Sequence, residues 1–277
     1  YTDAVCSTAW GAEPLLRRAL KIREKALDPD QPLVGQSLVK LAELLSDEGR
    51  YGEAAPLYQR ADAILEKARG PDDPQVAQVL ASWAFLLQLR GQTARAEPLF
   101  RRALAIRLAA LGPEQPEVAK SLSQLANLLR LQRRYDEAAP LFQQALAVAE
   151  KALGPEHPLV AQILNSYANM LHSRGDNAAA EPLYRRCLAI REKFYGPNHP
   201  SLGMPLQGLA GVLATAGKYA EAETLYRRAL AIREKVLGSK HPDVAASLSG
   251  LAQVLQAEGH HNEALALSRR AVAILGA

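Results

Sequence analysis

The 277 residues carry 33 Lys and Arg against 29 Asp and Glu, a formal charge of +4, with only 5% aromatic content. Charges of both signs are interspersed, so the surface reads as mixed, and the balance by itself does not assert nucleic-acid binding. The richness in Ala, Leu, Arg and Glu favours helices packed through small residues over a sheet core. Cys6 and Cys187 give neither a disulfide framework nor a C-x-x-C metal spacing, which fits a reducing compartment. No apolar run approaches the ~20 residues of a membrane span, and no secretory signal is visible. A cytoplasmic location is expected, although a start at Tyr1 rather than Met leaves room for a removed upstream segment.

Taken in chain order, residues 1–11 fit no pattern well and read as a degenerate segment or a truncated helix. A helix is expected over 12–27, ending at Asp28-Pro29-Asp30-Gln31-Pro32. That turn recurs with a fixed 42-residue step, as Gly70-Pro71-Asp72-Asp73-Pro74, Gly112-Pro113-Glu114-Gln115-Pro116, Gly154-Pro155-Glu156-His157-Pro158, Gly196-Pro197-Asn198-His199-Pro200 and Gly238-Ser239-Lys240-His241-Pro242. A fixed period of this length is the mark of a repeat array. A second mark, Gly49, Gly91, Gly175, Gly217 and Gly259, keeps the same step, with Arg133 in place of one glycine.

Each unit is therefore two amphipathic segments, helix A and helix B, with apolar residues at i, i+3, i+4 and i+7. In the third unit, Leu122, Leu125, Ala126 and Leu129 mark helix A, and Ala138, Leu141, Phe142, Ala145 and Val148 mark helix B. Six pairs are expected, at 32–69, 74–111, 116–153, 158–195, 200–237 and 242–275, and with 12–27 they make a single array over 12–277. Pro56, Pro98, Pro140 and Pro182 are read as falling in the first turn of helix B, where an amide has no helical acceptor. They place its start near 52, 94, 136 and 178. Gly203 and Pro205 disturb helix A of the fifth unit, which implies a late start or a hinge.

Small residues recur at three registers: Ala42, Ala84, Ala126, Ala168, Ala210 and Ala252; Ala54, Ala96, Ala138, Ala180, Ala222 and Ala264; and Ala61, Ala103, Ala145, Cys187, Ala229 and Ala271. Tyr58, Phe100, Phe142, Tyr184 and Tyr226 recur between them. This pattern resembles the tetratricopeptide repeat, in the 42-residue variety of kinesin light chains and many bacterial repeat proteins. The stretch from Ala222 to Gly238 carries the likeness most strongly. The resemblance implies an all-α, right-handed superhelical solenoid of antiparallel helix pairs, with helix A on the concave face. Kinesin light chains carry paired Asn in several copies of helix A; here only one copy, at Asn165, keeps Asn, which does not point to kinesin cargo.

The implied function is a non-catalytic scaffold that binds a peptide or a protein segment in the concave groove. Alternatives are a sensor or regulatory module of a larger bacterial-type signalling protein, and an array that self-associates end to end. Inward positions not used for packing supply the candidate contacts. They are Phe85, Gln88 and Leu89; Lys120, Ser123, Asn127, Arg130 and Leu131; Gln162, Asn165, Asn169 and His172; and Met204 and Gln207. Carboxamides both donate and accept, so Asn127, Asn165 and Asn169 could clamp a peptide backbone, with Lys120 and Arg130 attracting an acidic group. Phe85, Leu89, Leu131 and Met204 are apolar where water is expected, consistent with either partner hot spots or burial against a neighbouring helix.

Features that look chemical are given structural readings. Arg17-Arg18, Arg101-Arg102, Arg185-Arg186, Arg227-Arg228 and Arg269-Arg270 form a basic ladder, but Glu13, Glu97, Glu181 and Glu223 stand four residues before the first Arg of four pairs. His157, His199 and His241 are a full repeat apart and read as turn residues rather than metal ligands. No nucleophile elbow, P-loop or dinucleotide fingerprint occurs, so no catalysis, cofactor, metal or small-molecule substrate is expected, and nucleic-acid and membrane partners are disfavoured.

Overall fold

The computed structural model describes the backbone of residues 2–276, with side chains from residue 11 onward. The side-chain reading of 1–10, Cys6 included, lies outside the described residues. Among these residues the chain is helical with no strand. Helix α1 spans Thr2–Ala26, followed by α2 (Pro32–Asp47), α3 (Tyr51–Arg69), α4 (Pro74–Leu89), α5 (Thr93–Leu111), α6 (Pro116–Leu131) and α7 (Tyr135–Leu153). Then come α8 (Pro158–Arg174), α9 (Asn177–Tyr195), a 3-10 turn at Pro200–Leu202, α10 (Gly203–Thr215), α11 (Tyr219–Leu237), α12 (Pro242–Ala257) and α13 (His261–Leu275). They form two compact units, 2–152 and 153–277, each a stack in which helix A packs on its own helix B and on the preceding one.

The small-residue registers explain the packing. Ala42, Ala84, Ala126, Ala168 and Ala210 in helix A, and Ala54, Ala96, Ala138, Ala180 and Ala222 in helix B, have no exposed surface. A methyl side chain lets neighbouring backbones close on each other, and the interior then has no room for more. Phe100, Phe142 and Tyr184 fill the spaces left between helices and are at most 1% exposed. Cys187 takes an alanine place as a buried free thiol, and burial pushes its pKa up to about 11.

Tyr184 and Tyr226 go further and pass through gaps in the next helix A. A Cβ added at Gly208 would sit 2.5 Å from the Tyr184 ring, and one at Gly250 would sit 2.4 Å from the Tyr226 ring. These two glycines are needed for space rather than for backbone freedom.

The turns follow from the caps. His157, His199 and His241 precede the helix A prolines, and their Nδ1 atoms accept from the backbone N–H two residues on, at 3.1, 3.2 and 3.1 Å. Asp73 does the same with its carboxylate at 2.7 Å. The histidines are therefore helix N-caps, satisfying an amide that the helix cannot. At the A–B turn, Arg133 is held at φ 60 where the other units place glycine, for example Gly91 at φ 71. A non-glycine residue there costs on the order of 1–2 kcal/mol.

The prolines of helix B require a correction. With α3 starting at Tyr51 and α5 at Thr93, Pro56 and Pro98 are sixth residues, inside the helix. Pro140 and Pro182 are likewise inside α7 and α9. An amide there would have bonded to the carbonyl four residues back, so each proline costs one hydrogen bond. The freed carbonyls belong to residues 52, 94, 136 and 178, all of them exposed residues, where solvent can take the place of the lost donor. In the fifth unit the equivalent residue is Thr224, whose hydroxyl donates to the Ala220 carbonyl at 3.0 Å.

The fifth unit resolves its irregularity locally. The 3-10 turn takes the first turn of helix A, and Pro205 is buried in the first turn of α10. Pro205 frees the Ser201 carbonyl four residues back, and Arg191 donates to it. Arg191 belongs to a register at the end of helix B that docks on the following helix A. Arg23 donates to the Leu33 carbonyl at 3.1 Å and the Ser37 hydroxyl at 2.6 Å. Arg233 donates to the Asp243 carbonyl at 3.0 Å and the Ser247 hydroxyl at 2.7 Å. Where this register holds Leu65, the serine place holds buried Val79 instead.

The basic ladder is tied into the stack. The intrahelical pairs form, with Glu13–Arg17 at 2.7 Å and Glu97–Arg101, Glu181–Arg185 and Glu223–Arg227 at 2.8 Å. Bridges also cross between repeats: Arg50 to Glu13 at 2.7 Å, Arg134 to Glu97 at 2.6 Å, Arg185 to Glu221 at 2.7 Å and Arg227 to Glu263 at 2.8 Å. Arg102 bridges to Glu66 at 3.0 Å and Arg228 to Glu192 at 2.5 Å. Single exposed pairs contribute little, so their weight lies in the network.

Two outcomes follow from this packing. Gly208→Ala lowers stability by roughly 1–3 kcal/mol in chemical denaturation, because the added methyl meets the Tyr184 ring. Combining it with Tyr184→Leu removes the clash and brings the loss below the sum of the two single changes. The second concerns acid. Hydrogen bonds from Arg185 and Lys218 hold the Glu181 carboxyl below the usual carboxylate range. Its contribution is complete above the unfolded value of about 4.3 and is lost as pH falls through the lower folded value. Thermal melts of Glu181→Gln therefore depend less on pH below about 4.3 than those of the parent.

Candidate functional site

Two groups of helix A residues form concave surfaces, one in each unit. In residues 2–152 a cavity of about 340 Å³ opens on the faces of α2, α4 and α6. Three of the sequence candidates, Phe85, Leu89 and Lys120, line it. Phe85 and Leu89 are 47% and 46% exposed, so they are free apolar surface rather than packing residues. Gln88 and Leu131 lie off the cavity, with Leu131 45% exposed. Arg130 Nε donates to Asn127 Oδ1 at 2.9 Å, so this arginine and this carboxamide already engage each other.

Residues not among the candidates complete this cavity. Glu43 and Asp47 come from α2, Tyr58 from α3 and Arg107 from α5. Arg107 is 5% exposed and donates to the Ser121 hydroxyl at 2.5 Å and to Gln78 Oε1 at 2.8 Å. Burial lowers its pKa from the usual arginine value. The Tyr58 hydroxyl is pushed up to about 12, first by burial and further by the negative charges of Glu43 and Asp47. The cavity thus has an acidic wall on α2, an apolar wall on α4 and a basic wall on α6.

In residues 153–277 a cavity of about 410 Å³ is lined by Asn169, His172, Met204 and Gln207, four of the expected residues. Met204 is 61% exposed. The polar groups are already oriented. The Tyr184 hydroxyl, which reaches this face past Gly208, donates to Asn169 Oδ1 at 2.5 Å. His172 Nδ1 lies 2.6 Å from Asn177 Oδ1, and Arg233 donates to Gln207 Oε1. Tyr184, Tyr226 and Arg233 form part of the lining although they belong to helices B.

Two expectations need correction. Ser123 is 9% exposed and Asn165 only 6%, so both are buried within the helix packing and neither lines these cavities. Among the described residues Asn165 Oδ1 has no hydrogen-bond partner. Gln162 is exposed but lies outside the cavity lining. The helix B contributors were missed because their register is buried and reads as packing. The available signals were the arginines at 107 and 233, where Leu65 stands in another copy, and the glycines facing Tyr184 and Tyr226.

Among the described residues no group of three or more His, Cys, Asp or Glu is placed to hold a metal, and no helix is long and apolar enough to cross a membrane.

Comparison with known proteins agrees with this architecture. The sequence model of the tetratricopeptide repeat matches in overlapping windows over 11–67, 34–109, 75–151, 117–193, 159–235 and 203–277. No curated protein matches the chain. Among solved structures, a variant of a Podosopora anserina protein described as a kinesin light chain with nearly identical TPR-like repeats is 30% identical. It aligns over 73% of this chain and 95% of its own, with a TM-score of 0.62. BtubC (BKLC) from P. vanneervenii is 24% identical over 85% of this chain and 93% of its own, with a TM-score of 0.68. Pseudomonas aeruginosa pilF is 18% identical over 84% and 88%, with a TM-score of 0.58. The last two show the fold alone. With the repeat sequence matched from residue 11 to 277 and the helix pairs in place, the chain belongs to the tetratricopeptide repeat family, in the kinesin-light-chain-like variety.

Proposed function

We propose that the chain is a non-catalytic scaffold that binds a peptide segment of a partner protein along the exposed faces of its A helices. The observation that carries this reading is the placement of Phe85, Leu89 and Met204. They are large apolar side chains, 47%, 46% and 61% exposed, standing in cavities edged by polar groups. Apolar anchors inside a polar rim are the usual anatomy of a binding hot spot. Leu131, which holds on α6 the repeat position that Leu89 holds on α4, is also exposed. Glutamates occupy the arginines of helix B, which supports a protein partner over a phosphate backbone.

A random-peptide phage library panned on the immobilised chain tests this directly. Recovered peptides are expected to bind Phe85→Ser/Leu89→Ser or Met204→Ser about tenfold or more weakly than the parent. They bind Gln144→Ala, a change on an exposed helix B position, as they bind the parent. Recovery of peptides that bind all the variants equally contradicts the reading.

Self-association is a second reading, supported by apolar residues exposed on α13: Leu265 at 51%, Val272 at 69% and Leu275 at 67%. Light scattering across a wide concentration range discriminates. A mass that rises with concentration in the parent and not in Val272→Ser/Leu275→Ser supports it, and the mass of one chain throughout excludes it.

A further inference from the structure

The cavity of residues 2–152 contains opposite charges that do not neutralise each other. Asp47 on α2 and Lys120 on α6 line the same space, yet neither forms an ion pair among the described residues. Glu43, one turn before Asp47, has its nearest cation, Lys40, 3.9 Å away. Between these charges lie Phe85 and Leu89 from α4. The order across the surface is acid, apolar, base, one chemistry per helix A. Two open charges at the edges of one cavity attract counter-charges on a ligand, and the apolar strip between them fixes where a third side chain rests.

We infer that this cavity selects an extended peptide segment carrying a basic and an acidic side chain on either side of an apolar one. The inference rests on the groove-binding reading above and names the chemistry of its ligand. Glu43, Asp47, Phe85, Leu89 and Lys120 border one cavity, so a single short extended segment, advancing ~3.3 Å per residue, meets all three chemistries with a charge about three residues to either side of the apolar one. The basic side chain lies against Glu43 and Asp47, the apolar one on Phe85 and Leu89, and the acidic one against Lys120. Arg107 takes no part in pairing, because its guanidinium is already held by Ser121 and Gln78. The cavity of residues 153–277 lacks this order: its charged lining residues, Arg233 and Asp243, stand side by side, with Arg233 donating to the Asp243 carbonyl at 3.0 Å.

Four fluorescein-labelled, N-acetylated and C-amidated nonapeptides test this by anisotropy on the full chain. Each has Leu at the centre of a Gly/Ser frame, with Lys and Glu, two Lys, two Glu or two Gln placed three residues to either side. The comparison does not depend on which way the peptide runs. The parent is expected to bind the Lys/Glu peptide at least about fivefold tighter than the other three. Lys120→Glu transfers the preference to the two-Lys peptide, and Glu43→Gln/Asp47→Lys transfers it to the two-Glu peptide. Lys120→Gln and Asp47→Asn, which remove charge with little change in size, reduce the discrimination without reversing it. Equal affinity for all four peptides, an unchanged ranking in the reversed variants, or no binding of any of them overturns the inference. The phage selection reads the broader proposal separately: groove-dependent peptides lacking this charge order leave groove binding standing while the charge assignment falls.

Discussion

The distance between helix A and helix B is the constraint on which the rest of the fold depends. It is set by side chains no larger than a methyl group or a thiol at three places in each 42-residue unit, all buried. A larger residue at Ala126 or Ala138 would have to displace a neighbouring backbone, since both already have no exposed surface. Once the helices are this close, the aromatic at the position of Phe100 and Tyr184 has one place to go, the seam toward the next helix A. In the last two seams the ring passes through, and glycine replaces a side chain at 208 and 250 to let it. Packing between repeats therefore shapes the surface on the far side, placing a tyrosine hydroxyl beside Asn169.

A second register joins packing to the surface chemistry. The residue at the end of helix B either fills an apolar gap, as Leu65 does against a site that holds Val79, or is an arginine that ties down the first turn of the next helix A. A buried guanidinium is costly unless its N–H groups are met, and the partners here are a serine hydroxyl, a backbone carbonyl and a glutamine. Burial lowers the pKa of both Arg107 and Arg233, yet both reach the floor of a cavity. Their partners are already supplied from within the protein, so the proposed ligand contacts fall to other lining groups: Glu43, Asp47 and Lys120 in one unit, and Met204 in the other.

The sequence was most legible where one residue answers to one local force. The glycines, the turn prolines and the alternating small and large residues announce the helix pairs because each enforces a dihedral or a distance. Pro56 and its equivalents were misplaced because solvent can stand in for a lost amide, and a pattern of residue types does not show which carbonyls are wet. The surface was half legible. Helical periodicity says which way Ser123 and Asn165 point along one helix, but not that neighbouring helices cover them. The same counting picked out Phe85, Leu89 and Met204, and their exposure shows that they are not packed away. Tyr184 and Arg107 escaped notice because they reach the surface from the layer behind it.

The account holds that positions common to the repeats make the fold and that positions differing between them make the binding surface. A saturation mutagenesis library of the chain, sorted once for abundance and once for binding of a groove-selected peptide, measures this separation at each residue. The account predicts abundance losses concentrated at the small-residue registers and at Gly208 and Gly250. It predicts binding losses at normal abundance concentrated on exposed A-helix residues such as Asp47, Phe85, Leu89, Lys120 or Met204. Binding losses that map instead to exposed residues of the B helices, or that never occur without a loss of abundance, would contradict it.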